Sequence, residues 1–76
     1  MGRKPKEDET PVSNRIEELR LAAGFTRAQL ADKVGVHYQT IGYIERGEYS
    51  PSLVLALQIA RALGEPIGDV FSLEEE

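Results

Sequence analysis

Glycines at positions 24, 35, 47 and 64 divide most of the chain into short segments, and within each segment apolar residues recur three or four apart instead of alternating. That period belongs to helices with one buried face, and a glycine after the last apolar position is the usual helix stop. The break at Gly35 is the most restrictive. One apolar run ends at Val34 and the next anchor is Val36. The chain must therefore reverse within about three residues, which calls for the left-handed backbone that glycine adopts without steric penalty. Such a chain folds as a bundle of short helices. Its 76 residues support a single core, because a domain of this size buries only about 60% of its unfolded surface. Hydrophobic residues make up 41% of the sequence and Trp is absent, so the core rests on Leu, Ile, Val and Ala with a few aromatics.

No cysteine is present, which excludes disulfides and thiolate zinc sites as substitutes for core and fits a reducing cytoplasm. The longest apolar stretch, Leu53 to Leu57, is far short of the roughly 20 residues of a membrane-spanning helix. The first residues are too polar for a signal peptide. The expected location is the cytoplasm, with no membrane partner.

Residues 1–12 are charged, carry two prolines and offer little to bury, so they read as a flexible arm. Ser13 or Asn14 can cap a first helix with Ile16, Leu19 and Leu21 to Ala23 at helical spacing, ended by Gly24. Thr26 suits the cap of a second helix running to about Val34, and Gln29 three residues on completes a capping-box pattern. Leu30, Ala31 and Val34 face inward on it. A third helix runs from near His37 to about Arg46, burying Ile41 and Ile44. After the polar loop Glu48 to Ser52, Ser52 caps the most apolar helix, Leu53 to Leu63. Leu53, Leu57, Ala60 and Leu63 share one face, widened by Leu55, Ile59 and Ala62, so this helix is expected to be enclosed by the others. Ile67 to Phe71 make a last short helix. The folded unit is then 13–71, followed by an acidic tail at 72–76.

The pattern Thr26, Arg27, Ala28, Gln29, Leu30, Ala31, then Gly35, Val36, then Ile41, Ile44, Glu45, Arg46 and Gly47, with Pro51, Ser52 and Leu53 after it, resembles the Cro/C1-type (XRE) helix-turn-helix regulators over about Asn14 to Phe71. The resemblance implies an all-α, compact five-helix, lambda-repressor-like domain that binds double-stranded DNA. A short turn holds two helices nearly perpendicular, so one crosses the DNA backbone while the other enters the major groove. Ala28 and Ala31 are expected to be small because the two helices approach there.

In that family the third helix reads base edges from its early exposed positions, which here are Tyr38, Gln39, Thr40 and Tyr43. Gln39 can pair bidentately with adenine, and Thr40 offers a hydroxyl and a methyl to thymine. Tyr38 and Tyr43 either touch phosphate or a thymine methyl or are merely solvated rings. Gly42 in mid-helix either admits a close approach of DNA or relieves crowding. Thr26 and Arg27 occupy the helix start from which family members clamp a phosphate, and Arg46, Tyr49 and Ser50 can hold the flanking one. Arg20 and Glu45 match the family's internal ion pair between the first and third helices. His37 departs from the usual Ser or Thr cap, which weakens the expected start of the reading helix. Ile67, Val70, Phe71 and Leu73 are candidates for a homodimer interface, against the alternative that Ile67 and Phe71 only close the monomer's core.

The formal charge of −4 runs against a phosphate partner. Between Ser13 and Phe71, however, six Arg and Lys face seven Asp and Glu, so placement decides more than the sum. The expected function is that of a small transcriptional regulator, a repressor acting as a homodimer on DNA at the nucleoid. The rival is a protein-interaction module of the same fold, an antitoxin or transcription accessory. A lone His without Cys is a poor metal ligand, and the sequence holds no nucleophile site, paired carboxylates or phosphate-cradling loop. No enzyme activity, cofactor, metal or small-molecule ligand is expected.

Overall fold

The computed structural model describes residues 12–74; the proposed arm, apart from Val12, and the last two tail residues lie outside them. Five helices follow one another: α1 (Ile16–Ala22), α2 (Arg27–Val34), α3 (Tyr38–Glu45), α4 (Leu53–Leu63) and α5 (Ile67–Val70). Their starts are set by side chains. Thr26 Oγ1 accepts from the Gln29 N–H at 3.0 Å while Gln29 Oε1 accepts from the Thr26 N–H at 2.9 Å, the capping box read from the sequence. Ser52 Oγ accepts from the Leu55 N–H at 3.1 Å. Gly35, at φ 77°, closes α2, and the Val36 N–H returns to the Ala31 carbonyl at 3.0 Å.

The helices enclose one core of Ile16, Leu30, Ala31, Ile41, Ile44, Ile59, Ala60, Leu63 and Val70. α2 packs on both α3 and α4, and α5 on α4. The all-α class holds, with one small addition. Strand β1 (Val12–Asn14) pairs antiparallel with β2 (Phe71–Leu73), setting Val12 against Leu73 and Asn14 against Phe71. The two ends of the described chain are thus joined, and the folded unit extends beyond 13–71 on both sides. Asn14 completes the closure. Its Oδ1 accepts from the Ile16 N–H and its Nδ2 donates to the Ile44 carbonyl, both at 3.0 Å, so the start of α1 is fastened to α3.

Three packing expectations need correction. The inner face of α4 is Ala56, Ile59, Ala60 and Leu63, whereas Leu53 and Leu57, expected inside, are 69% and 48% exposed together with Val54. The helix carries only two polar residues, Gln58 and Arg61, which lie with Val54 on the side away from the core, so that side faces out and the helix is not enclosed. Leu21 is also exposed. Ala28 lies on the outer side of α2, and only Ala31 meets the neighbouring helix as a small residue.

These burials make a direct prediction. Ile59→Ala, at a wholly buried site, should lower stability by about 2–5 kcal/mol in urea unfolding. Leu21→Ala should stay within about 0.5 kcal/mol.

Candidate nucleic-acid interface

The side chain that organises α3 is a carboxylate. Glu45 closes the last turn of that helix with its side chain 3% exposed, and Arg20 of α1, 7% exposed, lies against it with Nε donating to Oε2 at 2.7 Å. Arg20 Nη1 also donates to the Phe25 carbonyl at 3.0 Å. The expected ion pair is therefore present, and it has a third member. Arg27, from the first turn of α2, donates Nε to Glu45 Oε1 at 2.8 Å. That hydrogen bond and the carboxylate's charge raise the Arg27 pKa above its ordinary value, against a small opposing effect of burial. Every buried side-chain nitrogen and oxygen among the described residues has a partner, as a low-dielectric site requires.

The other end of α3 is set by His37. Its backbone is extended, and its Nδ1 accepts from the Gln39 N–H at 3.1 Å. The imidazole takes the place expected of Ser or Thr, so the helix start is not weakened in the way the sequence suggested. Its ring lies 4.7 Å from that of Tyr38.

Gln39, Gly42, Tyr43 and Arg46 fall three and four apart and so share one stripe of α3. With Tyr38 and Arg27 they line a single surface notch of about 230 Å³. The structure thus brings together three of the four expected base readers and two of the expected phosphate ligands. Tyr38 and Tyr43 are about half exposed. The Arg46 guanidinium lies 5.3 Å from the centre of the Tyr43 ring, and its Nε is 3.3 Å from Glu48.

The remaining expected residues stand apart from that notch. Thr40 is half-buried. Thr26 is exposed with its oxygen engaged in the capping box, which leaves its hydroxyl hydrogen free for an acceptor. The box takes the N–H groups of Thr26 and Gln29 and leaves those of Arg27 and Ala28, which no intrahelical carbonyl can reach. Tyr49 and Ser50 are exposed in the loop after α3, and Ser50 borders a second, apolar groove. That groove is bounded by Val12, Pro51, Leu53, Ile67, Phe71 and Leu73. Three of the expected dimer residues lie on it. Val70 does not: it is 1% exposed and belongs to the core. Sequence reasoning missed Glu45 as the anchor of Arg27, a contact between distant residues, and it missed Leu53 and Leu57 as surface. Among the described residues no group of three His, Asp or Glu side chains is placed to hold a metal ion, and no helix is long and apolar enough to cross a membrane.

A helix-turn-helix family profile matches residues 16–70. The HTH-type transcriptional regulator YgzD of Bacillus subtilis is 46% identical over 65 residues, 86% of this chain and 98% of that protein. An HTH-type transcriptional regulator of Methanothermobacter thermautotrophicus is 55% identical over 62 residues, covering 80% of this chain and 90% of its own. Among solved structures, the restriction-modification controller protein C.AhdI of Aeromonas hydrophila superimposes with a TM-score of 0.69 at 36% identity, over 72% of this chain and 83% of that one.

Glu45→Ala should cost about 3–5 kcal/mol of folding stability, because it strands the Arg20 guanidinium in the interior. His37→Ala should cost about 1 kcal/mol and His37→Ser almost nothing, since Ser restores the acceptor. Urea unfolding of the three variants checks each statement.

Proposed function

Because the chain belongs to the Cro/C1-type helix-turn-helix family of DNA-binding transcriptional regulators, we propose that it is a sequence-specific repressor that binds double-stranded DNA as a homodimer. In this reading α3 enters the major groove. Gln39 reads a base edge, and Tyr38, Thr40 and Tyr43 contact neighbouring bases. Thr26, Arg27, Arg46, Tyr49 and Ser50 hold the phosphates that border the groove. The observation that carries it is the convergence of Tyr38, Gln39, Tyr43, Arg27 and Arg46 on one exposed face of α3 and the start of α2. Polar and aromatic donors beside two guanidiniums suit base edges flanked by phosphates; a protein-binding core would be more apolar.

Homodimer formation rests on a second surface. Leu53, Val54, Leu57, Leu73 and Val12 are all more than 40% exposed and border or adjoin the apolar groove, and a contiguous apolar face of this kind favours association. A single α3 reads only a few base pairs, and two-fold pairing doubles the readout over half-sites about 10 base pairs apart. Repression is the simplest consequence of such binding, since a bound dimer blocks whatever else would use that DNA. The site of action is then the nucleoid. The same apolar groove would favour the rival reading, a module that binds another protein.

Selection of duplexes from a randomised pool at near-physiological salt separates the two. Recovery of a palindrome with half-sites about one helical turn apart supports the dimeric regulator; no enrichment supports the protein-binding module. In the same assay Gln39→Ala should relax preference at one base pair per half-site by about 1–3 kcal/mol. Arg27→Ala should weaken all sequences alike and reduce the salt slope by about 1 per half-site. Leu53→Glu with Leu57→Glu should sediment as a folded monomer, and a stable dimer of that variant would remove this face from the interface.

A further inference from the structure

We infer that Gly42 is an affinity-determining position: its missing side chain lets Arg46 lie against the helix backbone beside Arg27, where the two jointly grip one DNA phosphodiester. The inference rests on the DNA-binding reading above and adds to it a defined anion site on α3 itself.

Glycine in the middle of α3 is a local liability, costing about 0.5–1 kcal/mol relative to alanine. Its backbone is an ordinary helical one, since the positive-φ glycines are 24, 35, 47 and 64, so conformational freedom does not account for it. Space does. A Cβ at position 42 would stand 3.2 Å from Arg46 Nη1 and 3.9 Å from both Cδ and Nε of Arg27. The two arginines therefore reach this point from opposite helix ends, one from the start of α2 and one from just past α3, and meet over the bare, buried backbone of Gly42.

Both guanidiniums are held so that they can serve an anion. Arg27 spends only Nε on the buried Glu45, and the carboxylate's charge is already matched by Arg20, so Arg27 is a cation in excess. Arg46 is steadied by the Tyr43 ring and Glu48. None of the six residues lining the notch is acidic, in a chain whose formal charge is −4. Two preorganised forks facing a notch without a carboxylate suit a phosphate oxygen pair, which arginine binds bidentately. A guanine edge is the other acceptor of that geometry, and the two differ in what a change at position 42 would alter.

Gly42→Ala isolates this arrangement, because alanine favours the helix and Arg46 can yield at its flexible end. The variant should unfold at a higher temperature than the wild type yet bind the selected operator about tenfold more weakly, as for a lost hydrogen bond to a charged group. Base preference in a randomised pool should be unchanged. Arg46→Ala and Gly42→Ala combined should bind no more weakly than Arg46→Ala alone, because both remove one contact. Replacing phosphates singly by methylphosphonate should reveal one position per half-site at which neutralisation costs the wild type affinity but costs Gly42→Ala little. Wild-type affinity in Gly42→Ala, altered base preference, or multiplying losses in the double variant would overturn the inference alone. A wild-type protein that enriches no duplex would overturn the DNA-binding reading, and this inference with it.

Discussion

Glu45 holds three helices at one buried point. A carboxylate at 3% exposure beside an arginine at 7% is a costly arrangement in a chain with so little core, since each charge loses most of its hydration. The cost is offset only by complete satisfaction, and the geometry supplies it: Arg20 donates to both carboxylate oxygens and to the Phe25 carbonyl, and Arg27 donates to the second oxygen. The result is directional in a way that apolar packing is not. Isoleucines can slide past one another by a fraction of an ångström, whereas a carboxylate under two forks fixes where α1 and the start of α2 meet the end of α3.

That fixity bears on what α3 can do. An eight-residue helix is too short to persist on its own, so a reading surface built on it must borrow its order from elsewhere. It borrows from both ends. At its C-terminal end stand Glu45 and the Asn14 amide on the Ile44 carbonyl. At its N-terminal end stands the His37 imidazole on the Gln39 N–H. Between them Ile41, Gly42 and Ile44 are buried, which leaves Gln39, Tyr43 and Arg46 as the free face. On the proposed reading this face is preorganised, with little further ordering to be met on binding.

Much of this was legible in the residues. Local chemistry was the readable part: Thr26 with Gln29, Ser52 before Leu53, and Gly64 after Leu63 mark helix ends through contacts only a few positions apart, and α4 begins and ends where they place it. The Arg20–Glu45 pair was visible only through the family resemblance, because nothing within either helix demands it. What stayed hidden was non-local or ambiguous in period. The pairing of Val12 with Leu73 joins segments of three residues, too short to show alternation. The outward turn of Leu53 and Leu57 was masked because only Gln58 and Arg61 mark the outer side of α4 among nine apolar residues. Arg27 reads as a solvated cation until the fold sets Glu45 beside it.

The acidic balance of the chain takes on a different meaning once its placement is known. Glu17 and Glu18 lie on α1, Glu65 before α5 and Asp69 on it, and no carboxylate lines the notch on α3. At physiological salt, fields between exposed charges fade within about 8 Å, so Glu18, Glu65 and Asp69 subtract little from the charge of Arg27 or Arg46, whereas Glu45 at 2.8 Å from Arg27, Glu48 at 3.3 Å from Arg46 and, more weakly, Glu17 act on them directly. The distant acids do act on approach. A molecule whose remaining surface repels the duplex has fewer unproductive ways to touch it, and like-charge juxtaposition suppresses wrong encounters more effectively than it weakens the right one. A modest net negative charge is therefore compatible with DNA recognition by one small face, and on the proposed reading it disfavours every orientation except the one in which α3 leads.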